Sequence, residues 1–178
     1  WRIPGELMKI REDYVAPVPR AVIDELLAYR KRIVEECMNK GRNPLGRVGE
    51  DCAIGASTLE ASTLGDRVSI GPYCHVRPGS TIESDAHLGN YAEVKASRIG
   101  AHTAVGHFSY IGDADVGARV NIGAGTITVN YNGVDKHRTR VGDDAFIGSD
   151  SLLIAPIVVG PRARTAAGSV VTRDVAAD

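Results

Sequence analysis

The chain has 178 residues, with 21 Lys and Arg against 22 Asp and Glu, and a formal net charge of -1 at pH 7. This length suits one domain with an extension, and the balanced charge offers no basic surface for nucleic acid or an anionic membrane. The three cysteines, Cys37, Cys52 and Cys74, lack metal-ligand spacing, so reduced thiols and a cytoplasmic location are expected. No apolar run approaches the ~20 residues of a membrane span. Trp1 suits neither an initiator nor a signal peptide, so we expect a fragment of a longer protein.

Residues 1–47 are predicted to form a linker and a capping helix. Prolines at positions 4 and 17 suit an extended linker over residues 1–18. A helix is expected over residues 19–40, with Gly41 placed to end it. Its apolar stripe consists of Val22, Leu26, Tyr29, Ile33 and Cys37. We interpret this helix as a cap on the following domain, residues 48–178, in preference to a helix that binds a partner.

From residue 48 onward an aliphatic anchor residue returns every five or six positions. The anchors are Val48, Ile54, Leu59, Leu64, Ile70, Val76, Ile82, Leu88, Val94, Ile99, Val105, Ile111, Val116 and Ile122, and after one gap Val141, Ile147, Leu153, Val159 and Val171, with Thr165 standing in once. Small or apolar residues recur four places after an anchor; examples are Val68, Cys74, Ala86, Ala92, Val120, Ala145 and Ala163. Most anchors are followed directly by glycine, which we expect to permit the turn at each corner.

Neither a helix nor a flat sheet has this period. It is the hexapeptide repeat of a parallel β-helix, in which short strands stack coil on coil and aliphatic side chains fill the axis. The sequence therefore predicts an all-β domain of about seven coils, each of three hexads, preceded by an α-helix. The period leaves the hand of the helix open, although crossover connections between parallel strands are usually right-handed.

The gap between Val129 and Arg140 is predicted to project from the β-helix as a loop. It contains Asn130-Tyr131-Asn132-Gly133 and Lys136-His137-Arg138. Loops on rigid scaffolds often carry function, so this loop is a candidate part of a site.

His107 is the candidate catalytic residue. Histidines on hexapeptide turns, such as His75, His87 and His102, are more often surface or packing residues. His107 differs because Tyr110 and Asn121 are close by in sequence, and stacking every 18 residues brings Lys95 and Arg77 within a turn or two. A titratable base would then lie near cations that can hold a phosphate.

An ordered set of residues outside the repeat resembles a known family. The segments are Arg77-Pro-Gly, Gly89-Asn-Tyr-Ala-Glu-Val-Lys95, Gly106-His-Phe-Ser-Tyr-Ile-Gly-Asp-Ala114, Val120-Asn-Ile-Gly-Ala-Gly-Thr-Ile-Thr128, Asn130-Tyr-Asn-Gly133, Lys136 and Phe146-Ile-Gly-Ser149. They closely resemble the acetyltransferase half of the bifunctional N-acetylglucosamine-1-phosphate uridyltransferase / glucosamine-1-phosphate N-acetyltransferase. The resemblance implies a left-handed β-helix, a homotrimer with sites between subunits, and a role in UDP-N-acetylglucosamine biosynthesis for cell-wall peptidoglycan.

The resemblance also implies a role for each matching residue. His107 matches the general base that takes a proton from the amine of glucosamine 1-phosphate as it attacks the thioester of acetyl-CoA. The residues implied to hold the sugar phosphate are Arg77, Glu93, Lys95, Tyr110, Asn121 and Lys136. Those implied to line the acetyl-CoA groove are Ala124, Asn130, Tyr131, Ser149 and Ala167. Acetyl-CoA is the implied cosubstrate, and no metal is needed for acetyl transfer.

The chemistry of these residues agrees with acyl transfer. An ammonium group is not a nucleophile, so a neutral imidazole that removes its proton contributes typically 10²- to 10⁴-fold. The tetrahedral intermediate develops an oxyanion, for which a backbone N–H in the turn from Gly123 to Gly125 is a candidate donor.

The chain also departs from the family's pattern. Residues 1–47 contain no glycine-rich nucleotide loop, so no uridylyl transfer is expected. Val129 and Asn132 replace the usual cysteine and aspartate around the Asn-Tyr motif, which are mild changes. The sequence ends at Asp178, before the basic arm that the family uses as a further acetyl-CoA contact, so weaker acetyl-CoA binding is expected.

Three other functions remain open from the sequence. A different pocket lining would make the chain an acetyltransferase for another amino sugar phosphate. A γ-class carbonic anhydrase is also a β-helix with histidine-bound zinc, and His102 with His107 offers a pair, but no third ligand in register is evident. A non-catalytic β-helical scaffold is the third alternative.

Overall fold

The computed structural model describes residues 46–178 and, before them, Arg2–Ile3, Tyr14–Val15, Arg20, Ala21, Asp24, Glu25 and Ala28. The chain divides into two compact units, residues 1–44 and 45–178. In the first unit, β1 (Arg2–Ile3) pairs antiparallel with β2 (Tyr14–Val15). These four residues therefore pair as short strands within the segment that was predicted to be an extended linker. Ile3 precedes a proline, which favours extended backbone, and Ile, Tyr and Val all favour strands.

Five described residues fall inside the predicted helix. Arg20, Ala21, Asp24, Glu25 and Ala28 have helical backbone. The Arg20 Nε donates to Asp24 Oδ1 at 3.2 Å, one helical turn away. The apolar stripe of this helix, and the capping role predicted for it, lie outside the described residues.

The second unit consists of three parallel sheets. Sheet 1 contains β3 (Ala53–Ile54), β6 (Ser69–Ile70), β9 (His87–Asn90), β12 (Ala104–His107), β15 (Asn121–Ile122) and β18 (Phe146–Ile147). Sheet 2 contains β4 (Thr58–Leu59), β7 (His75–Val76), β10 (Glu93–Lys95), β13 (Tyr110–Gly112), β16 (Ile127–Val129), β19 (Leu152–Ile154) and β21 (Val170–Val171). Sheet 3 contains β5 (Thr63–Leu64), β8 (Thr81–Ile82), β11 (Arg98–Ile99), β14 (Ala114–Val116), β17 (Thr139–Val141) and β20 (Ile157–Val159).

The chain visits the three sheets in turn, so each circuit makes one coil of a parallel β-helix. Paired residues in neighbouring coils lie 17 apart for Asn90 and His107 and 18 apart for Ser69 and His87. We call the turns from sheet 1 to sheet 2 the first corner, those from sheet 2 to sheet 3 the second, and those from sheet 3 to sheet 1 the third. The predicted β-helix is confirmed, and its longest sheet has seven strands.

The core runs along the axis of the β-helix. Its largest fully buried side chains belong to the anchor series: Ile82, Leu88, Ile99, Ile111, Ile147 and Leu153. Burial of such a side chain contributes about 1.5–3 kcal/mol. The small residues two places before an anchor are buried as well, and hydroxyl side chains occupy this place in several coils. Thr103 is one example, whose Oγ1 donates to the carbonyl of Gly117 at 2.7 Å, so the hydroxyl is satisfied inside the core.

The glycines that follow the anchors have a different cause from the one predicted. Among those in residues 46–178, Gly71 alone has a left-handed φ. Most of the others lie where the next coil passes closely: a Cβ on Gly65 would come within 2.6 Å of the Ser84 nitrogen. Glycine is required there by the stacking of backbones and not by the turn. At the third corner the left-handed residues are Asp51, Arg67, Asp85, His102, Arg119, Asp144 and Arg162.

Two details of the anchor series differ from the prediction. Thr128 occupies the anchor place after Ile122 and is 2% exposed, so the series continues to the edge of the loop. Its Oγ1 donates to the carbonyl of Gly112 at 2.9 Å, which satisfies a polar side chain at an apolar position. The extra residues between Thr128 and Val141 lengthen this coil, so Arg119 pairs with Asp144, 25 residues on. Val48 and Ile54, in the first coil, are exposed to 50% and 42%.

Candidate active site

The predicted site residues fall into two groups, one at the first corner and one on sheet 2 and the second corner. His107, Ala124, Ser149 and Ala167 belong to the first corner itself, and Asn121 lies beside it on sheet 1. The second group lies on sheet 2 and the second corner and consists of Arg77, Glu93, Lys95, Tyr110, Asn130, Tyr131 and Lys136.

His107 ends β12 and its side chain is exposed. Its Nδ1 lies 3.1 Å from Oδ1 of Asn90, which occupies the same position one coil earlier. An amide oxygen only accepts hydrogen bonds, so in the neutral form of the ring Nδ1 carries the proton and Nε2 has the lone pair. Asn90 was not among the predicted site residues. Its position 17 residues before His107, about one coil of the repeat, is the feature of the sequence that could have indicated it.

The first corner carries a column of small residues that continues from His107. The register of β12, β15 and β18 places Ala124 and then Ser149 one and two coils after the histidine, and Gly168 N–H donates to Ser149 O at 2.7 Å, which places Ala167 on the next coil. The N–H groups of Ala124, Ser149 and Ala167 have no acceptor within residues 46–178. Coils are spaced by about 4.8 Å, so these three donors form a regular row.

The neighbouring glycine N–H groups are not free. Gly123 N–H donates to Ile147 O at 2.9 Å, and Gly125 N–H donates to Phe108 O at 3.2 Å. Of the predicted oxyanion donors in this turn, only Ala124 therefore retains an unpaired N–H.

A groove of about 440 Å³ lies between the first corner and sheet 2. Its lining consists of Tyr91, Glu93, Phe108, Ser109, Tyr110, Gly125, Ile127 and Asp150. Glu93 and Tyr110 belong to the predicted sugar-phosphate set. Phe108 and Tyr91 are 57% and 58% exposed, which leaves a broad aromatic surface uncovered in the single chain.

Two predicted phosphate ligands are already paired with carboxylates on sheet 2. Arg77 Nη1 donates to Glu93 Oε1 at 2.9 Å. Lys95 Nζ donates to both oxygens of Asp113, at 2.8 and 3.0 Å, and both side chains of this pair are largely buried. The hydrogen bond that Lys95 donates to Asp113 raises the pKa of Lys95 against the opposing effect of burial. Burial by itself would raise the pKa of Asp113, but the hydrogen bonds from Lys95 and Asn130 outweigh it and lower that pKa.

Asn130 also contacts Asp113, and we call Lys95, Asp113 and Asn130 the ionic cluster. The Asn130 side chain is only 8% exposed, and its Nδ2 donates to Asp113 and, at 3.4 Å, to the hydroxyl of Tyr110. The residue was predicted to contact acetyl-CoA, whereas in the single chain it lies with the predicted phosphate ligands. Asp113 was missed because one carboxylate in a repeat gives no signal of its own until the coils are stacked.

The loop projects from the second corner as predicted and is held by its own hydrogen bonds. Tyr131 and Lys136 form an antiparallel bridge, and Asn132 Oδ1 accepts from the N–H groups of Val134 and Asp135 at 2.8 and 2.7 Å. Lys136 is exposed, and its charge helps to lower the pKa of Asp113. The structure thus places the Lys136 charge beside the ionic cluster.

The pair of histidines considered for zinc does not converge within the chain. His102 lies at the third corner, with Nε2 3.9 Å from Asp85 Oδ2, whereas His107 lies at the first. Across the described part of the chain, no three His, Cys, Asp or Glu side chains form a potential metal-binding group. None of the described helical residues belongs to a helix long and apolar enough to span a membrane.

Comparisons with known proteins place the repeat in a family. The family described as "Bacterial transferase hexapeptide (six repeats)" matches residues 61–96, and the "Hexapeptide repeat of succinyl-transferase" matches residues 138–173. A solved hexapeptide transferase family protein from Anaplasma phagocytophilum has a TM-score of 0.37 at 18% identity, covering 71% of this chain and 74% of that chain.

The curated relatives are more similar in sequence. The chain is 53% identical over 131 residues to the "Bifunctional protein GlmU" of Streptococcus pyogenes serotype M3, and 52% identical over 132 residues to those of Streptococcus uberis and Streptococcus agalactiae serotype V. Each match covers 74% of this chain but only 28% or 29% of the relative's length. The repeat, the two hexapeptide family matches and the curated relatives identify the chain as a member of the hexapeptide-repeat transferase family, similar to part of the bifunctional GlmU proteins.

Proposed function

We propose that the chain transfers the acetyl group of acetyl-CoA to the amino group of glucosamine 1-phosphate, for UDP-N-acetylglucosamine biosynthesis. The observation that carries the proposal is the first corner, where the His107 imidazole and three N–H groups without an acceptor among the described residues lie in one row. Acyl transfer from a thioester to an amine needs both a base for the amine and donors for carbonyl oxygens.

His107 is the general base of the proposed reaction. Because Nδ1 donates to Asn90, the lone pair of Nε2 is available to take a proton from the attacking amine, and this is the proton that coenzyme A later receives. The nitrogen then bonds to the thioester carbon, the carbonyl electron pair moves to oxygen, and its return breaks the C–S bond. Coenzyme A leaves as the thiol after it takes up the proton.

The acetyl donor lies along the first corner. The pantetheine arm of coenzyme A carries amide carbonyls, which accept hydrogen bonds from the N–H groups of Ser149 and Ala167. Ala124 is nearest in register to His107, so its N–H is the proposed oxyanion donor. Such N–H groups must be paired when covered, and this requirement favours a ligand with acceptors at the spacing of the coils.

The cations of sheet 2 hold the phosphate of the acceptor. An ammonium group has three donors, and Asp113 accepts two of them from Lys95, so the third remains for a phosphate oxygen. The carboxylate fixes the position of Lys95 before substrate binds, and this reduces the ordering cost of binding. Arg77 and Lys136 add positive charge at the same side of the groove.

The complete site is assembled from more than one copy of the chain. Asn121 is exposed on sheet 1, whereas Lys95 and Tyr110 project from sheet 2, so one chain presents them on different outer faces. A second copy placed against the groove would bring residues of both groups around one ligand. A homotrimer, as the family resemblance implies, provides three such sites.

A thiol-release assay tests the proposal. Purified protein is incubated with acetyl-CoA and a panel of amino sugar phosphates, and free thiol is measured. We expect glucosamine 1-phosphate to give the highest kcat/KM. Preference for another amino sugar phosphate would change the substrate but keep the chemistry. No thiol release with any amine, or one tightly held zinc per subunit together with CO2 hydration, would contradict the proposal.

A further inference from the structure

The described residues contain no feature that requires glycine at position 106. Its φ lies outside the left-handed region, so the turn does not require glycine. A Cβ built on it meets no atom of the described residues within 4 Å, so stacking does not require glycine either. Where neither cause applies, a glycine often marks close approach of something outside the chain.

The other glycines of the β-helix show how unusual this is. A Cβ on Gly89, one coil before, would overlap the carbonyl of Gly106, and a Cβ on Gly123, one coil after, would overlap the backbone at Gly148 and Ser149. Gly55, in the same column near the start of the β-helix, is the one close match within residues 46–178. It has an ordinary φ, and its Cβ would make contacts no closer than 3.5 Å.

Gly106 lies between the two residues of sheet 1 that would handle the acceptor. It precedes His107 directly, and it lies two residues after Ala104, the partner of Asn121 in the next coil. Val105 is fully buried, so the strand directs position 106 outward, as it does position 104. A side chain at 106 would therefore stand in the open space beside the imidazole.

We infer that Gly106 is a specificity-determining position, which keeps space beside His107 for the amine-bearing acceptor. The inference rests on the proposed acetyl transfer. The proposed row of donors for acetyl-CoA, Ala124, Ser149 and Ala167, begins one coil further along, so a methyl group at 106 obstructs the acceptor and spares the acetyl donor. Misplacement of a reacting group by about 1 Å costs up to about 10²-fold in rate.

The test compares Gly106→Ala with Gly55→Ala. For Gly106→Ala we expect kcat/KM for the amino sugar phosphate to fall about ten- to hundredfold, with an unchanged KM for acetyl-CoA and an unchanged or slightly raised melting temperature, because alanine restricts the unfolded chain. Gly106→Val should have a larger effect. Gly55→Ala should match the parent in its kinetics and match Gly106→Ala in its melting temperature.

Three outcomes would overturn the inference. Parent-like kinetics for Gly106→Ala would show that the space is not used. A rise confined to the KM for acetyl-CoA would assign it to the donor. A loss of oligomer mass in light scattering would assign it to a second copy of the chain. Failure of the proposed function is seen separately, as absence of turnover by the parent protein.

Discussion

The first and third corners of the β-helix use similar turns but treat their backbone N–H groups in opposite ways. At the third corner, four of these N–H groups are bonded to side chains of an adjacent coil, among them Ala118 N–H, which donates to Asp143 Oδ1 at 2.9 Å, and Ala101 N–H, which donates to Glu83 Oε2 at 3.0 Å. At the first corner, the corresponding N–H groups of Ala124, Ser149 and Ala167 have no acceptor among the described residues.

The side chains of the two corners differ in the same sense. The third corner carries bidentate pairs across coils, Arg67 with Asp85 and Arg119 with Asp144. The first corner carries Tyr73, Tyr91 and Phe108, each more than half exposed, with the two tyrosine rings stacked at 5.3 Å. The third corner pairs most of its N–H groups and several of its charged side chains with other described residues. The first leaves donors and aromatic surface for a ligand or another subunit, and this difference locates the candidate site.

The largest expected effect is the loss of activity when His107 is removed from the first corner, with removal of His102 from the third corner as the control. His107→Ala should lower kcat for acetyl transfer by 10²- to 10⁴-fold, as is typical for loss of a general base, with little change in sugar-phosphate binding. His102→Ala removes the same side chain from the third corner and should retain parent activity. Steady-state kinetics on both variants, with matched melting temperatures and oligomer mass, makes the comparison. A His107→Ala protein within tenfold of the parent rate would show that another group is the base.

Removing a cation from sheet 2 should raise KM for the sugar phosphate, whereas removing one from sheet 3 should not. Lys95→Met is expected to raise KM for the sugar phosphate about ten- to hundredfold, since a hydrogen bond to a charged group contributes about 1.5–3 kcal/mol, with a smaller change in kcat. Arg98→Met, which breaks ion pairs with Glu83 and Asp115 on sheet 3, should leave KM unchanged. Lys95→Met leaves the largely buried Asp113 carboxylate without its cation. The double variant with Asp113→Asn removes that unpaired charge, so it separates lost binding from lost stability. Equal KM values for the Lys95 and Arg98 variants would contradict the assigned phosphate site.

Association should depend on the first corner. Light scattering is expected to give a trimer mass for the parent. Phe108→Ser should weaken association by about ten- to hundredfold per contact, because burial of a Phe side chain contributes about 1.5–3 kcal/mol. Val158→Ser, at an exposed apolar position on sheet 3, is the matched control and should remain trimeric. A monomeric parent at micromolar concentration would remove the shared-site arrangement, and dissociation by Val158→Ser alone would place the interface elsewhere.

The smallest effect is expected at the third corner. Arg119→Ala should leave activity unchanged and lower the melting temperature slightly, with the difference from the parent reduced in ~1 M salt because the pair is exposed. The hydrogen bond from Arg119 lowers the pKa of Asp144. The stabilisation is therefore complete at neutral pH and is lost as pH falls below ~4. A calorimetric scan against pH checks this, and a difference that persists at low pH would contradict the assignment.

The sequence indicated the candidate residues one by one, but not the partners that they contact. His107 could be singled out because Tyr110 and Asn121 are close by in sequence, whereas the small residues of the first corner were indicated only by the family resemblance. Asn90 and Asp113 were not singled out, since each looks like an ordinary polar residue until stacking brings it to His107 or Lys95. The role predicted for the glycines failed for the same reason. A turn is a local property, whereas the approach of the next coil is not.

The sequence by itself determined the β-helix, because a buried side chain at every sixth position has no other arrangement that removes it from water. It also determined which corner residues are chemically distinctive. Only the tertiary structure decided which backbone N–H groups remain unpaired and which carboxylate holds each cation. These contacts join residues 15 to 25 positions apart, and the loop after Thr128 changes that spacing in one coil. Their partners are therefore set by the register between coils, which depends on the packing of the whole stack.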